Sequence, residues 1–172
     1  PDGKRLLTGR VDTTIRDWDT ATGTHRHAIN TRVDKVFALA FSPDGLAFAS
    51  GAEGGIVKIW DPSEWKTNRR LEHFGTIRYV AYSHDGRTIA SARAKGTIKL
   101  WDAATGRERT TLKGHDRTVW FVAFSPDNLT LASAGEDSTV RLWDTRAGVE
   151  RITLSGHGKC VWSVAFSPDG KV

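Results

Sequence analysis

A chain of 172 residues with 38% hydrophobic and 26% charged residues can bury a sizeable core and has the composition of an ordinary folded domain, not a disordered one. The longest wholly apolar stretch, Val36 to Phe41, is far too short to cross a bilayer as a helix. Cys160 is the one cysteine, which excludes an internal disulfide; a reducing compartment follows, with the cytoplasm the expected location. The formal charge of +5, from 25 basic and 20 acidic residues, gives only a weak pull toward acidic surfaces.

In chain order, "PDGK" is followed by two short strand patterns, "RLLT" and "TTIRDW", and by a Gly-bearing turn, "TATG". A nearly continuous apolar run, "KVFALAF", then opens a longer cycle: turn "SPDG", strand "LAFAS", strand "IVKIW", and the Gly-less connection "PSEWKTNRR". The next cycle runs "TIRYVAY", "SHDG", "RTIAS", "TIKLW", "AATG" and a more polar strand, "RERTTL". A third runs "TVWFVAF", "SPDN", "LTLAS", "TVRLW", "TRAG" and "VERITL", and the chain closes on "CVWSVAF" and "SPDG". Apolar runs of this kind suit strands covered on both faces. Pro presets the first turn position, and Gly or Asn accepts the positive φ that follows.

Two marks keep one period. The acidic residue of the "PDG" phrase falls at Asp2, Asp44, Asp85, Asp127 and Asp169, and a "WD" dipeptide begins at Trp18, Trp60, Trp101 and Trp143. The intervals are 42, 41, 42 and 42 for the first and 42, 41 and 42 for the second. Four strands per period without helical patterning predict an all-β fold of four-stranded antiparallel propeller blades, about four per chain. Over its whole length, 1–172, the chain resembles the WD-repeat family of β-propellers, and Leu112 to Asp144 carries the fullest form of that pattern. The expectation is one propeller segment, a fragment of a larger protein.

His115, Ser133 and Asp137 have the residue types of a nucleophile, base and orienter. The resemblance implies instead that they form a structural hydrogen-bonded tetrad with Trp143. A buried indole N–H needs an acceptor, and a hydroxyl can accept from it while donating onward to an imidazole. The same spacing counted back gives His73, Ser91, Lys95 and Trp101, then Arg32, Ser50, Gly54 and Trp60, then Thr8, Asp12 and Trp18 with no histidine. His157 belongs to a repeat that stops short. Only one repeat carries the whole set, so weaker bracing is expected around Trp60 and Trp101. No exposed serine, oxyanion hole or cleft can be read, and the histidines lack carboxylates or cysteines at ligand spacing. No catalytic residue, metal or cofactor is expected. Asp17 stands where other repeats have Ile59, Leu100 and Leu142, which calls for a basic partner on the neighbouring strand or else marks an exposed blade edge or another interface; the first is favoured.

In the family's layout a repeat supplies the outer strand of one blade and three inner strands of the next. The chain thus starts without the innermost strand of its first blade and ends on such a strand, Cys160 to Ser167. A bare blade face of about 350 Å² would forgo roughly 9 kcal/mol at ~25 cal/mol per Å². Closure as four blades, as two copies in one eight-bladed ring, or with missing repeats remain open, and two copies are favoured for the chain as it stands.

By resemblance, one rim carries the partner-facing positions, including Lys35, Phe37, Arg78, Trp120, Glu136 and Trp162. Aromatic residues and Arg dominate binding hot spots. The expected function is a non-catalytic scaffold for protein partners. The alternative is binding of nucleic acid or another acidic surface. Against it, Arg16, Lys58, Lys99 and Arg141 recur two residues before each "WD" and read as framework.

Overall fold

The computed structural model describes residues 2–31 and 35–170 and contains fifteen strands and no helix among them. β1 (Arg5–Gly9), β2 (Thr14–Asp19) and β3 (His25–Asn30) form a three-stranded sheet. Three four-stranded sheets follow. The second holds β4 (Val36–Phe41), β5 (Phe48–Ala52), β6 (Ile56–Asp61) and β7 (Lys66–Glu72). The third holds β8 (Ile77–Tyr82), β9 (Thr88–Arg93), β10 (Thr97–Asp102) and β11 (Glu108–Lys113). The fourth holds β12 (Val119–Phe124), β13 (Thr130–Gly135), β14 (Val140–Asp144) and β15 (Val149–Leu154). Each sheet is an antiparallel meander, so each is one blade, and the innermost strands β4, β8 and β12 stand side by side.

The turn chemistry behind the repeated phrase is visible atom by atom. Ser42 Oγ donates to Asp44 Oδ1 at 2.6 Å, and the same oxygen of Asp44 accepts the Leu46 amide at 2.9 Å. Ser83 with Asp85, Ser125 with Asp127 and Ser167 with Asp169 repeat the first bond at 2.6, 2.5 and 2.7 Å. These Asx-type bonds hold the chain in the turn while the sheet hydrogen bonds resume on either side. The aspartate of "WD" does the same for the next turn. Asp144 Oδ1 accepts the Arg146 and Ala147 amides, and its other oxygen takes the Arg151 guanidinium at 2.5 Å.

Blades stack face to face on apolar residues that recur in register. Val57, Ile59 and Leu71 of the second blade pack on Ile77, Val80, Ile89 and Trp101 of the third. Ile98, Leu100 and Leu112 of the third pack on Val119, Val122, Leu131 and Trp143 of the fourth. Each fully buried Leu or Ile contributes about 1.5–3 kcal/mol. Loops interlock as well: Gly96, at φ +75°, has no room for a Cβ, which would lie 2.1 Å from the His115 carbonyl oxygen of the next blade.

As the layout implied, the first blade has three strands among the described residues, and the sheets do not close into a ring. One expectation is amended: Cys160 to Ser167 forms no strand, and the Val161 amide reaches the Gly135 carbonyl at 3.0 Å. Asp17 finds its partner on β1. The Arg5 guanidinium grips both carboxylate oxygens, at 3.0 and 3.2 Å, and Asp17 is 2% exposed.

Removing one member of such a pair leaves a buried charge. Arg5→Ala is expected to cost about 3 kcal/mol, read as a lower urea midpoint, whereas the double replacement Arg5→Leu with Asp17→Leu returns close to the starting stability.

Candidate functional site

Every blade has a tryptophan at the end of its next-to-outermost strand bound to a hydroxyl on the strand inside it. The indole Nε1 donates to Thr8 Oγ1 from Trp18 (2.9 Å), to Ser50 Oγ from Trp60 (2.8 Å), to Ser91 Oγ from Trp101 (2.9 Å) and to Ser133 Oγ from Trp143 (2.8 Å). The spacing of ten residues between hydroxyl and Trp is what an antiparallel hairpin of these strand lengths requires.

Only the fourth blade continues the chain of bonds in full. Ser133 Oγ lies 2.7 Å from His115 Nε2, and His115 Nδ1 lies 2.8 Å from Asp137 Oδ2. Ser133 accepts from Trp143, so its proton goes to Nε2, and Nδ1–H donates to the carboxylate. Asp137 Oδ1 takes the Thr139 amide and hydroxyl at 3.1 and 2.8 Å, which fixes the tight turn. Ser133 is wholly buried and its hydroxyl is engaged on both sides, so no substrate atom can reach it. The geometry is that of a brace and not of a nucleophile.

In the third blade the acid is replaced by exposed Lys95, and the imidazole turns over. His73 Nδ1 now faces Ser91 Oγ at 2.8 Å and Nε2 faces Thr97 Oγ1 at 3.3 Å. Burial pushes the His73 imidazole down to about 3. Burial also lowers His115, with Asp137 opposing. In the second blade Gly54 supplies no acid, and Arg32 lies outside the described residues. The first blade carries Thr8, Asp12 and Trp18 alone. His157 is exposed and far from forming such a set within its own repeat.

The rim residues come together. The Arg78 guanidinium lies 5.0 Å from the Phe37 ring and 5.1 Å from the Trp120 ring, and Trp120 meets Trp162 at 4.8 Å between ring centroids. The four side chains make one continuous row across successive inner strands and the terminal segment. Phe37 is 38% and Trp162 64% exposed. The Trp120 indole N–H is buried beside the Cys160 sulfur without completing a hydrogen bond. Lys35 is set apart from this row by its ion pair with Glu53 at 3.1 Å, and Glu136 is half-buried at the rim of the fourth blade. An open groove of about 660 Å³ lies beside the inner strands, lined by Tyr79, Tyr82, Phe121, Phe124 and Phe166 among others.

Trp65 ends the Gly-less connection that leads into β7. It stacks on His27 at 4.4 Å and receives the Arg5 guanidinium at 5.2 Å, so it seals the first blade against the second. Of the positive residues two before each "WD", Lys99 pairs with Glu108 and Arg141 with Glu150, both at 2.6 Å.

Four-stranded meanders stacked blade on blade, each clamped by a Trp–hydroxyl bond, define a β-propeller repeat protein. The family model described as "WD domain, G-beta repeat" matches residues 23–61, 65–102, 106–144 and 148–172, and the chain belongs to this WD-repeat family. Coronin-7 of Rattus norvegicus is 39% identical over 57 residues, 33% of this chain and 6% of that protein. The chromatin assembly factor 1 subunit FAS2 homolog of Oryza sativa subsp. japonica is 34% identical over 86 residues, 41% of this chain and 17% of that protein. Protein hir1 of Schizosaccharomyces pombe is 32% identical over 78 residues, 37% and 8% respectively. The matched stretches thus span less than a fifth of each relative.

Two predictions follow from the braces. Ser133→Ala strands a buried indole N–H and an imidazole, and is expected to cost about 2–3 kcal/mol in thermal or urea unfolding. Lys95→Asp restores an acceptor to the third blade and is expected to raise Tm by about 2–4 °C, near 1 kcal/mol. For pH, both depressed histidines take up protons more readily in the unfolded chain, whose imidazoles titrate near 6.5. Stability from this source is full above pH 6.5 and falls as pH drops toward 3. By pH 5 the His73 contribution alone is a loss of about 2 kcal/mol, and His73→Phe should flatten that slope in urea titrations.

Proposed function

We propose that the chain is a non-catalytic interaction scaffold that offers its rim to protein partners in the cytoplasm, and that it self-associates to complete its ring. The carrying observation is the row Phe37–Arg78–Trp120–Trp162, a cation held between two rings and ended by a Trp with 64% of its surface in water. Aromatic and Arg side chains pre-ordered in this way lose little entropy when a partner covers them. Family membership supports the reading, as do relatives whose names place them in coronin and chromatin-assembly proteins. The internal pairing of Lys99 and Arg141 weakens the alternative of a polyanion surface.

The test compares affinity-captured partners of the unaltered chain with those of Trp162→Ala, Arg78→Ala and the outer-strand control Arg70→Ala. Rim replacements should weaken capture of the same partners by about 10- to 30-fold with Tm unchanged, and the control should not. Equal loss in the control, or binding to a nucleic-acid duplex that falls steeply with salt, favours the acidic-surface reading.

A further inference from the structure

Four cations gather on the rim of the third blade. Arg78 lies in β8, Arg93 ends β9, Lys95 sits in the turn to β10, and Arg117 is in the loop that leads to β12. None of the four forms an ion pair among the described residues. The rims of the other blades carry acids in the turn that holds Lys95 here. That turn has Asp12 in the first blade, Glu53 in the second, and Glu136 with Asp137 in the fourth. Asp12 and Glu53 pair with Arg10 and Lys35. The third blade has a four-stranded blade on either side, so its rim is bounded by complete neighbours.

The patch is held in place by its backbone. The Ala94 amide donates to the Thr76 carbonyl at 3.0 Å, and the Ala94 carbonyl accepts the Thr118 hydroxyl at 3.2 Å, which clamps this turn between two loops. Arg93 Nη1 is anchored on the Phe74 carbonyl at 2.7 Å. Arg78 is the extra residue of a β-bulge: Ile77 faces Arg93 and Tyr79 faces Ala92, with Arg78 between them. Phe37 and Trp120 stand at the same bulge in their own blades. A bulge takes one side chain out of the strand's alternation and re-aims it, and here it lays the guanidinium over both rings. Stacking uses the faces of a guanidinium and leaves its N–H edge for hydrogen bonds. That edge has no acceptor among the described residues, and Arg78 Nε is shut off from water as well. An acceptor brought by a ligand would relieve the cost of that orphaned donor.

These groups fit an anion, and a protein suits them better than a polynucleotide. A base would have to stack on Phe37 or Trp120, where the guanidinium already lies. Phosphates in series would need a basic track through the neighbouring rims. There Lys35 is matched by Glu53, and Asp116 and Glu136 stand on the side of the fourth blade. A carboxylate needs only one or two cations, and aromatic and Arg side chains together are the composition of protein interfaces.

We propose that the rim of the third blade binds an acidic segment of a partner protein, with Asp or Glu carboxylates on Arg78, Arg93, Lys95 and Arg117 and the flanking apolar side chains on Phe37 and Trp120. This rests on the scaffold reading above and adds the chemistry of the partner.

The test is a selection of short random peptides displayed on phage against the unaltered chain, followed by fluorescence anisotropy of the recovered peptides. The recovered sequences should be enriched in Asp and Glu over the starting library. Arg117→Gln should weaken their binding by about tenfold and Lys95→Asp by more, whereas the outer-strand control Arg70→Gln should leave it unchanged. Lys95→Asp separates binding from folding, because the same change is expected to brace the third blade and raise Tm. Peptides that lose binding in Trp162→Ala yet show no enrichment in Asp and Glu, or that keep their affinity in Lys95→Asp, leave the scaffold reading standing and overturn the acidic partner. A selection that recovers no rim-dependent peptide overturns it too. Oligouridine that binds more tightly than the recovered peptides and is weakened by Lys95→Asp assigns the patch to nucleic acid instead.

Discussion

The bond from an indole N–H to a hydroxyl oxygen is the constraint on which each blade is built. A tryptophan large enough to fill the space between two sheets brings a donor that must be satisfied, because leaving it unpaired would cost about 1–3 kcal/mol. The second strand supplies the acceptor in all four blades, as threonine once and serine three times. That bond fixes the register of the second and third strands. It also aims the serine's proton outward, where an imidazole from the preceding loop can take it. Only then does the loop between blades acquire a fixed position, and with it the close approach of Gly96 to the His115 carbonyl.

Bracing is graded along the stack. The fourth blade holds every member of the set; the third keeps the histidine but turns it over toward Thr97; the second and first show no histidine bonded to their serine or threonine among the described residues. The third blade sets a Thr97 hydroxyl where the acid would stand, and His73 is 1% exposed and neutral well below the ordinary imidazole range. Neutrality there is a condition of the fold. A protonated His73 would have two hydroxyl partners, with Lys99 and Arg93 nearby to repel it and only the Glu108 carboxylate opposing them.

Most of this fold can be read from the chain because its marks are local. The "PDG" and "WD" aspartates act on amides two or three residues away, so their spacing survives as a visible period. The hydroxyl–Trp bond is a hairpin contact and is equally legible. What the sequence hides is set between blades. Asp17 announces that a cation is needed, but Arg5 is identified only by the register of β1 on β2. Trp65 gives no sign of its destination, since His27 and Arg5 reach it from another sheet. The flipped ring of His73 depends on Thr97, which no family spacing singles out. The rim residues could be named from position, yet their contiguity is a product of curvature: inner strands converge, so side chains one repeat apart come within 4.8 to 5.1 Å of the neighbouring ring centroid.

That convergence ties the rim to the ends of the chain. Trp162 is both the exposed end of the row and a residue of the terminal segment that has no strand beside it. Its ring is held by Trp120 at 4.8 Å between centroids, so the exposed end of the row is positioned from one side only. A ligand that covered the row would order Trp162 by the difference in its affinity for the ordered and unordered ring, and whatever else ordered that ring would tighten the ligand's binding by the same factor.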